Sequence, residues 1–150
     1  ALSMATAHGL DMVWADDMGV NSSGLDETGL RMKELAHKHP DMELFASVAF
    51  KYQEYEPYPG VAARNALDAG FIPTTSGVKT GEAPDLFKVE EMAESVDGEL
   101  ALASGLTPEN VSFFLPYVSH GLVATGISLD GHRIDPAKLG ALIRKVKTEW

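Results

Sequence analysis

Two short apolar segments near the C-terminus are each followed by a loop that carries glycine and a hydroxyl side chain. Ser104 and Gly105 follow the first segment, and Gly126 and Ser128 follow the second. A loop that leads from a strand into a helix presents backbone N–H groups and a helix N-terminus, which together attract anions. The hydroxyl groups can donate further hydrogen bonds to phosphate oxygens. The pattern therefore predicts a phosphate site; the alternative is that these residues only form tight turns and helix caps.

A third glycine-bearing loop contains Lys79, Thr80 and Gly81. The Lys79 ammonium could lie over an anion, so we predict that this loop contacts the ligand. His132, which follows the last glycine loop, is a fourth candidate for ligand contact. The ordinary alternative for Lys79 is a solvated side chain in a flexible loop.

Two charged residues are candidates for acid–base chemistry. Asp16 ends the first predicted strand, where a carboxylate can accept a proton, bind ligand hydroxyls or hold a magnesium ion against a phosphate. Lys51 directly follows the second predicted strand and would act as a general base or Schiff-base nucleophile if desolvation lowered its pKa. The alternative for Asp16 is a solvated or capping carboxylate without a role in chemistry. The alternative for Lys51 is a simple ion pair with a nearby acid. Magnesium is the one cofactor the sequence suggests; no histidine metal site is predicted, because the i,i+2 spacing of His37 and His39 spreads the rings apart.

Apolar runs and breakers alternate as strand and helix along the whole chain. Strands are predicted at 12–16, 43–50, 71–75, 99–104 and 121–125, each followed by a helix. This order is typical of an α/β fold with a parallel sheet and right-handed crossovers. A closed eight-stranded barrel needs about 250 residues, so a chain of this length supplies about five of its eight units. We therefore predict one domain over residues 1–150, built as a partial TIM barrel of parallel (β/α) units.

An open, doubly wound sheet is the competing architecture. Its phosphate loop would follow the first strand. The segment after the first predicted strand, residues 16–24, lacks both the dinucleotide-binding and the P-loop spacing of glycines. The position of the glycine loops near the C-terminus therefore favours the barrel.

Composition narrows the classes of partner. The net charge of −10 argues against nucleic acid, whose binding requires clustered lysine and arginine. No apolar run approaches the roughly 20 residues that cross a bilayer, so no membrane partner is predicted. The chain contains no cysteine and opens with no export signal, which predicts the cytoplasm.

Three motifs resemble those of the BtpA family, which is named for a photosystem I biogenesis protein and classed among the ribulose-phosphate-binding (β/α) barrels. The first begins at Ser76 (Ser-Gly-Val-Lys-Thr-Gly-Glu-Ala-Pro-Asp) and the second at Ala103 (Ala-Ser-Gly-Leu-Thr-Pro-Glu-Asn). The third begins at Gly126 (Gly-Ile-Ser-Leu-Asp-Gly). The resemblance implies that the predicted strands are about the fourth to eighth of a (β/α)8 barrel.

The chain departs from the family's pattern at the first two predicted strands, at the other edge of the sheet. Trp14 and Asp16 stand where the family has arginine and asparagine, and Tyr52 stands where it has histidine. Tyr52 also opens a segment rich in tyrosine and proline, residues 52–59, which we expect to form a lid over the site or an interface patch.

The resemblance also carries expectations about function. It implies a protein that binds or acts on a phosphorylated sugar or a nucleotide-like metabolite. A non-catalytic assembly or biogenesis factor on the same fold is the alternative from another class. Because a half-barrel exposes sheet edges and apolar surface, we expect self-association or pairing with a missing N-terminal barrel segment.

Overall fold

The computed structural model describes residues 2–149 and contains seven strands within that range. In chain order these are β1 (Met12–Ala15), β2 (Val20–Asn21), β3 (Gly24–Leu25), β4 (Glu43–Ser47), β5 (Ile72–Thr75), β6 (Ala101–Ala103) and β7 (His120–Leu122). Five of them form one parallel sheet in the order β1-β4-β5-β6-β7. The remaining two, β2 and β3, pair as a small antiparallel hairpin.

A helix or helical turn follows each strand of the parallel sheet. The α-helices are α1 (Leu2–Ala7), α2 (Glu27–Lys38), α3 (Pro59–Asp68), α4 (Leu86–Ser95), α5 (Val111–Phe114) and α6 (Pro136–Glu149). Two short 3-10 helices cover Leu115–Tyr117 and Thr125–Ile127. The predicted alternation of strand and helix is confirmed, and the five parallel strands with their helices form about half of a TIM-type barrel.

The longer helices begin at capping residues that can be recognised in the sequence. The carboxylate of Asp26 accepts hydrogen bonds from the first turn of α2, and that of Asp85 does so for α4. Asp135 precedes Pro136 and accepts a hydrogen bond from the N–H of Ala137 at 2.8 Å, which starts α6. These caps satisfy N–H groups that have no partner within the helix.

The two faces of the sheet have different partners. Alternate residues on one face, such as Leu44 and Ala46, pack in the main apolar core beneath the helices. On the other face, Phe45 of β4 makes an edge-on contact with His120 of β7, with ring centroids 5.3 Å apart. Two strands lie between these residues, and a flat sheet would hold them about 14 Å apart at the usual strand spacing. The sheet is therefore strongly curled.

The inner face of the sheet is closed at its centre and open at one edge. Thr74 and Ala101 lie on the same inner face as Phe45 and His120, on β5 and β6, and both are fully buried. The inner face is open at β1, where Met12 is 54% exposed and Trp14 is 42% exposed. Within the described range, no helix is both long and apolar enough to cross a membrane.

Candidate functional site

A cavity of about 690 Å³ lies at the carboxyl ends of β1 and β4. Asp16 and Lys51 both line it, although they are 35 positions apart in the chain. Trp14 and Gln53 also contribute to its wall. Catalytic residues of (β/α) barrels lie at this end of the strands, so the cavity is the candidate active site.

Lys51 reaches the cavity from a turn rather than from a strand. The second strand was predicted to run to residue 50, but β4 ends at Ser47. Ala49 and Tyr52 both adopt left-handed backbone conformations, with φ of 48° and 68°, which break the strand alternation on each side of Lys51. The Lys51 N–H donates to the hydroxyl of Ser76 at 2.9 Å.

The ammonium of Lys51 lies 5.2 Å from the centroid of the Phe50 ring, a cation–π contact. Among the described residues, no carboxylate lies within 4.0 Å of it. The simple ion pair considered as an alternative is therefore not formed here.

Gln53 holds the turn against the ends of two strands. Its Nε2 donates to the carbonyl of Asp16 at 2.9 Å and to that of Ser47 at 3.1 Å. Its Oε1 accepts the N–H of Phe50 at 3.0 Å. One side chain thus joins the strand end that carries Asp16 to the turn that carries Lys51.

Carboxylates dominate the charge of the cavity wall, but several already serve the backbone. Asp17 accepts the N–H of Gly19 at 2.8 Å, and Asp26 caps α2. Glu56 accepts the N–H groups of Ser22 and Tyr58. Within residues 2–149, no group of three or more histidine or acidic side chains is arranged to hold a metal ion.

Glu56 fastens the tyrosine-rich segment to the β2–β3 hairpin, and we expect Glu56→Gln to destabilise the fold by about 1 kcal/mol. Partial burial acts to raise the pKa of Glu56, but hydrogen bonds from Ser22 and from the Tyr58 N–H outweigh it and lower the pKa. The group therefore contributes stability above its unfolded pKa of about 4.5, and this contribution is lost as the pH falls through the lowered folded value.

Urea unfolding at pH 7 and pH 3.5 tests this prediction. The difference between the native chain and Glu56→Gln should be smaller at the lower pH. The control is Glu54→Gln, because Glu54 is exposed and makes no hydrogen bond within the described part of the chain. An unchanged difference at both pH values would show that Glu56 does not act through its charge.

The loops after β5 and β6 are joined at the rim. The hydroxyl of Ser104 accepts the N–H of Gly81 at 2.9 Å. Gly105 has a φ of 79° and lies so close to the backbone of Glu82 that a Cβ atom would overlap the Glu82 carbonyl. The tight turn considered as an alternative is therefore present, and loop packing is one reason for glycine at 105.

The loop after β7 packs on its neighbour in the same way. A Cβ atom at Gly126 would overlap the carbonyl oxygen of Leu106. The helical hydrogen bonds of Thr125–Ile127 begin with the N–H of Ile127, which donates to Ala124. The N–H groups of Thr125 and Gly126 thus precede the helical ladder, as expected at a helix start.

The other predicted ligand residues lie around these loops. Lys79 pairs with Glu82 at 2.9 Å, which raises the pKa of its ammonium. Hydrogen bonding to Thr80 lowers the pKa of the Tyr52 hydroxyl, with a smaller contribution from Lys51. The loop after β4 therefore contacts the loop after β5.

Ser128 ends the glycine loop after β7, and His132 lies in the turn that follows it. The Ser128 hydroxyl donates to the carbonyl of Ala124 at 2.9 Å. The His132 N–H donates to the carboxylate of Asp130 at 3.1 Å, and the residue is exposed. The structure thus brings Asp16 and Lys51 to one cavity and joins Gly81 to Ser104. Ser128 stays with Gly126 in the loop after β7, and His132 lies in the next turn.

Two residues of the rim were not identified from the sequence. Gln53 was included only as part of a segment rich in tyrosine and proline, and Lys88 was not considered. Lys88 of α4 donates to the carbonyl of Ser76 at 2.6 Å and to that of Ala49 at 3.1 Å. Burial lowers the pKa of Lys88, and Asp85 partly opposes the shift. The only sequence signal is a lysine next to the buried position of Val89.

Comparison with known proteins supports the fold. No protein-family model matches the chain. A curated N-(5'-phosphoribosyl)anthranilate isomerase from Haloarcula marismortui is 32% identical over 85 residues, which are 55% of this chain and 40% of that protein.

Three solved structures are similar over nearly the whole chain. The 3-keto-L-gulonate-6-phosphate decarboxylase from Vibrio cholerae has a TM-score of 0.63 at 13% identity, covering 99% of this chain and 66% of that one. The phosphoribosyl anthranilate isomerase from Thermococcus kodakaraensis has a TM-score of 0.58 at 17% identity, covering 97% and 68%. A structure described as native KDPGal has a TM-score of 0.64 at 12% identity, covering 97% of this chain and 63% of that one.

The chain therefore has part of a TIM-type (β/α) barrel fold. It spans 40% of the curated relative's length and less than two thirds of two of these three solved structures. At these identities the solved structures establish the fold alone.

Proposed function

We propose that this chain binds a phosphorylated small molecule, a sugar phosphate or a nucleotide-like metabolite, across the carboxyl ends of its parallel strands. The observation that carries the proposal is the position of the 690 Å³ cavity at the same sheet end as the glycine loops after β6 and β7. From β4 to β6 the sheet spans two strand spacings, or about 10 Å. One small ligand can therefore contact both places. The names of the similar proteins, which include a phosphate ester or a phosphoribosyl group, add support.

In this proposal the two ends of the ligand meet different chemistry. The N–H groups at the start of Thr125–Ile127 and around Gly105 bind phosphate oxygens. Asp16 and Lys51 act on the other end, where Asp16 accepts or returns a proton and Lys51 serves as a base or forms an imine with a carbonyl group. Gln53 joins the two segments through its hydrogen bonds to the N–H of Phe50 and the carbonyl of Asp16.

The narrower proposal is that the chain is of the BtpA type. Its support is the three motifs that begin at Ser76, Ala103 and Gly126, which occupy the loops after β5, β6 and β7. We also propose that the chain is cytoplasmic and that it self-associates through the unpaired edges of β1 and β7. The mass of the chain in solution tests self-association, and a monomer at micromolar concentration would contradict it.

Thermal unfolding with a ligand panel tests phosphate binding. Ribose 5-phosphate and nucleoside 5'-monophosphates, at about 100 times their Kd, should raise the melting temperature by roughly 5 °C or more. The matched controls are ribose and the nucleosides at the same concentrations, which should give a much smaller shift. An equal response with and without the phosphate group would overturn the proposal. Partner binding without any such shift would favour an assembly factor instead.

We further expect Thr125→Asp to weaken binding of the phosphorylated ligands by about tenfold. Thr125 is exposed at the start of the 3-10 helix, where a new carboxylate would repel the phosphate. The matched control is Thr125→Asn, because asparagine has nearly the same shape as aspartate but carries no charge. This variant should bind the ligands as the native chain does. Equal affinities of the two variants, measured by calorimetry, would place the phosphate elsewhere.

A further inference from the structure

The side chain of Trp14 is a large aromatic surface on the wall of the candidate active-site cavity. It is 42% exposed, although it lies beside the buried Ser47 and the buried Phe50. Its Nε1 donates to the Ser47 hydroxyl at 3.1 Å, and that hydroxyl donates to the carbonyl of Ala15 at 2.9 Å. The ring of Phe50 lies 5.8 Å away, tilted by 55°. The indole is therefore held in one orientation before any ligand arrives.

We propose that the ligand carries a planar aromatic or heteroaromatic ring that stacks on Trp14 while its phosphate lies at the loops after β6 and β7. This inference rests on the proposed function and narrows it, because it selects a nucleotide-like compound over a plain sugar phosphate. A fixed, half-exposed indole offers a flat apolar surface on which a planar ring can pack face to face. Stacking of a base on an aromatic side chain contributes about 1–3 kcal/mol to binding and is available to every base.

The dimensions of the rim agree with a ligand of this kind. Trp14 lies on β1 and Ser104 follows β6, three strand positions away. At the usual spacing this is about 14 Å along the sheet, and the curl shown by the Phe45–His120 contact shortens it. A ring joined to phosphate through a pentose reaches further along the rim than a triose phosphate does, so it is the better match to this shortened distance.

The charge of the wall restricts the ring further. The carboxylates that line the cavity are those of Asp16, Asp17, Asp26, Glu54 and Glu56, and Lys51 is the one lysine among the lining residues. A second phosphate or a carboxylate on the ring would be repelled there. The ring is therefore neutral or cationic, and the ligand carries its negative charge at the other end.

Binding of ribose 5-phosphate, AMP and UMP to the 150-residue chain tests the inference. Trp150 is the second tryptophan of the sequence, so the Trp150→Phe variant reports on Trp14 alone. We expect both nucleotides to quench its fluorescence and to bind about tenfold more tightly than ribose 5-phosphate. Trp14→Ala should weaken nucleotide binding about tenfold, measured by calorimetry, and leave ribose 5-phosphate unchanged.

The outcomes separate this inference from the proposed function. If all three compounds bind equally well and Trp14→Ala changes none of them, the ring-stacking inference is wrong and phosphate binding stands. If none binds, the proposed function fails and the inference fails with it. Trp14→Leu retains apolar bulk without an aromatic face. It should weaken nucleotide binding in the same way, and it replaces Trp14→Ala if that variant does not fold. A nucleotide affinity that Trp14→Leu preserves would also overturn the stacking.

Discussion

Replacing Gly105 by alanine should lower the free energy of unfolding by about 3 kcal/mol. Two effects add at this position. The backbone has a φ of 79°, which costs an L-residue about 1–2 kcal/mol. The new Cβ would also overlap the carbonyl of Glu82 and approach the Cα of Ala83 at 2.5 Å, and forcing such a contact costs about 1–3 kcal/mol. Urea unfolding measures the loss directly.

Gly98→Ala is the matched control for the contribution of the contact. Gly98 has nearly the same backbone angle, with a φ of 82°, but no atom lies within 4 Å of the position a Cβ would take. It should lose only about 1 kcal/mol, so the difference between the variants isolates the close approach of the two loops. Equal losses would mean that the loops after β5 and β6 are not in contact.

The same substitution should impair ligand binding. The overlap pushes the segment at Glu82 away from β6, and this segment adjoins Gly81, whose N–H donates to the Ser104 hydroxyl. Gly105→Ala should therefore reduce the ligand-induced rise in melting temperature, whereas Gly98→Ala should not. A variant that is destabilised but binds normally would separate the packing of this loop from its role at the phosphate.

Replacing Lys88 by methionine should lower the free energy of unfolding by about 2 kcal/mol. The ammonium donates to two backbone carbonyls, Ser76 at 2.6 Å and Ala49 at 3.1 Å, so it joins the ends of β4 and β5. Ala49 also accepts the hydroxyl of Thr75 at 3.2 Å and keeps a partner, but Ser76 is fully buried and its carbonyl loses a charged donor. A buried acceptor without its partner costs about 1–3 kcal/mol.

The pH dependence of this effect has a definite sign. Burial holds the pKa of Lys88 below its unfolded value of 10.5, so between the two values the unfolded chain binds more protons. The contribution of Lys88 to stability therefore increases as the pH rises through that interval. The gap between the native chain and Lys88→Met should be wider at pH 10.5 than at pH 8. A gap that narrows instead would contradict the lowered pKa.

Lys33→Met is the control for replacing a lysine whose ammonium makes no hydrogen bonds to the described part of the chain. Lys33 is a half-buried lysine of α2 that makes no hydrogen bond or ion pair from its ammonium within the described residues. Its replacement should change the stability by less than about 0.5 kcal/mol at either pH. A loss equal to that of Lys88→Met would show that the two carbonyl contacts contribute nothing.

The strands and helices could be predicted because their signals are local. Each strand is a short apolar run, and caps such as Asp85 and Asp135 stand within two residues of the helices they start. The turn after β4 could not be predicted in this way. Continuing the strand alternation beyond Ser47 was wrong, because Ala49 and Tyr52 are not glycine and yet adopt positive φ. Their conformation depends on distant contacts, such as the bond from Lys88 to Ala49.

The site shows the same division. The glycine loops and the residue types at the strand ends are visible in the sequence. They predict that the candidate site lies at the carboxyl ends of the strands. The link between Asp16 and the turn of Lys51 runs through Gln53, whose bond to Asp16 spans 37 positions. No local pattern encodes such a pair, so the importance of Gln53 is apparent only from the fold.

The sequence by itself determined the order of the elements, the parallel (β/α) architecture and the end of the sheet that carries the predicted site residues. These follow from hydrophobic period, turn residues and caps, each of which acts over a few neighbouring positions. Only the tertiary structure decided that Trp14 shares a cavity with Asp16 and Lys51, and that Gly105 and Gly126 are packed against neighbouring loops. The physical reason is that the curl of the sheet sets these approaches, and the curl brings together residues far apart in the chain, such as Phe45 and His120.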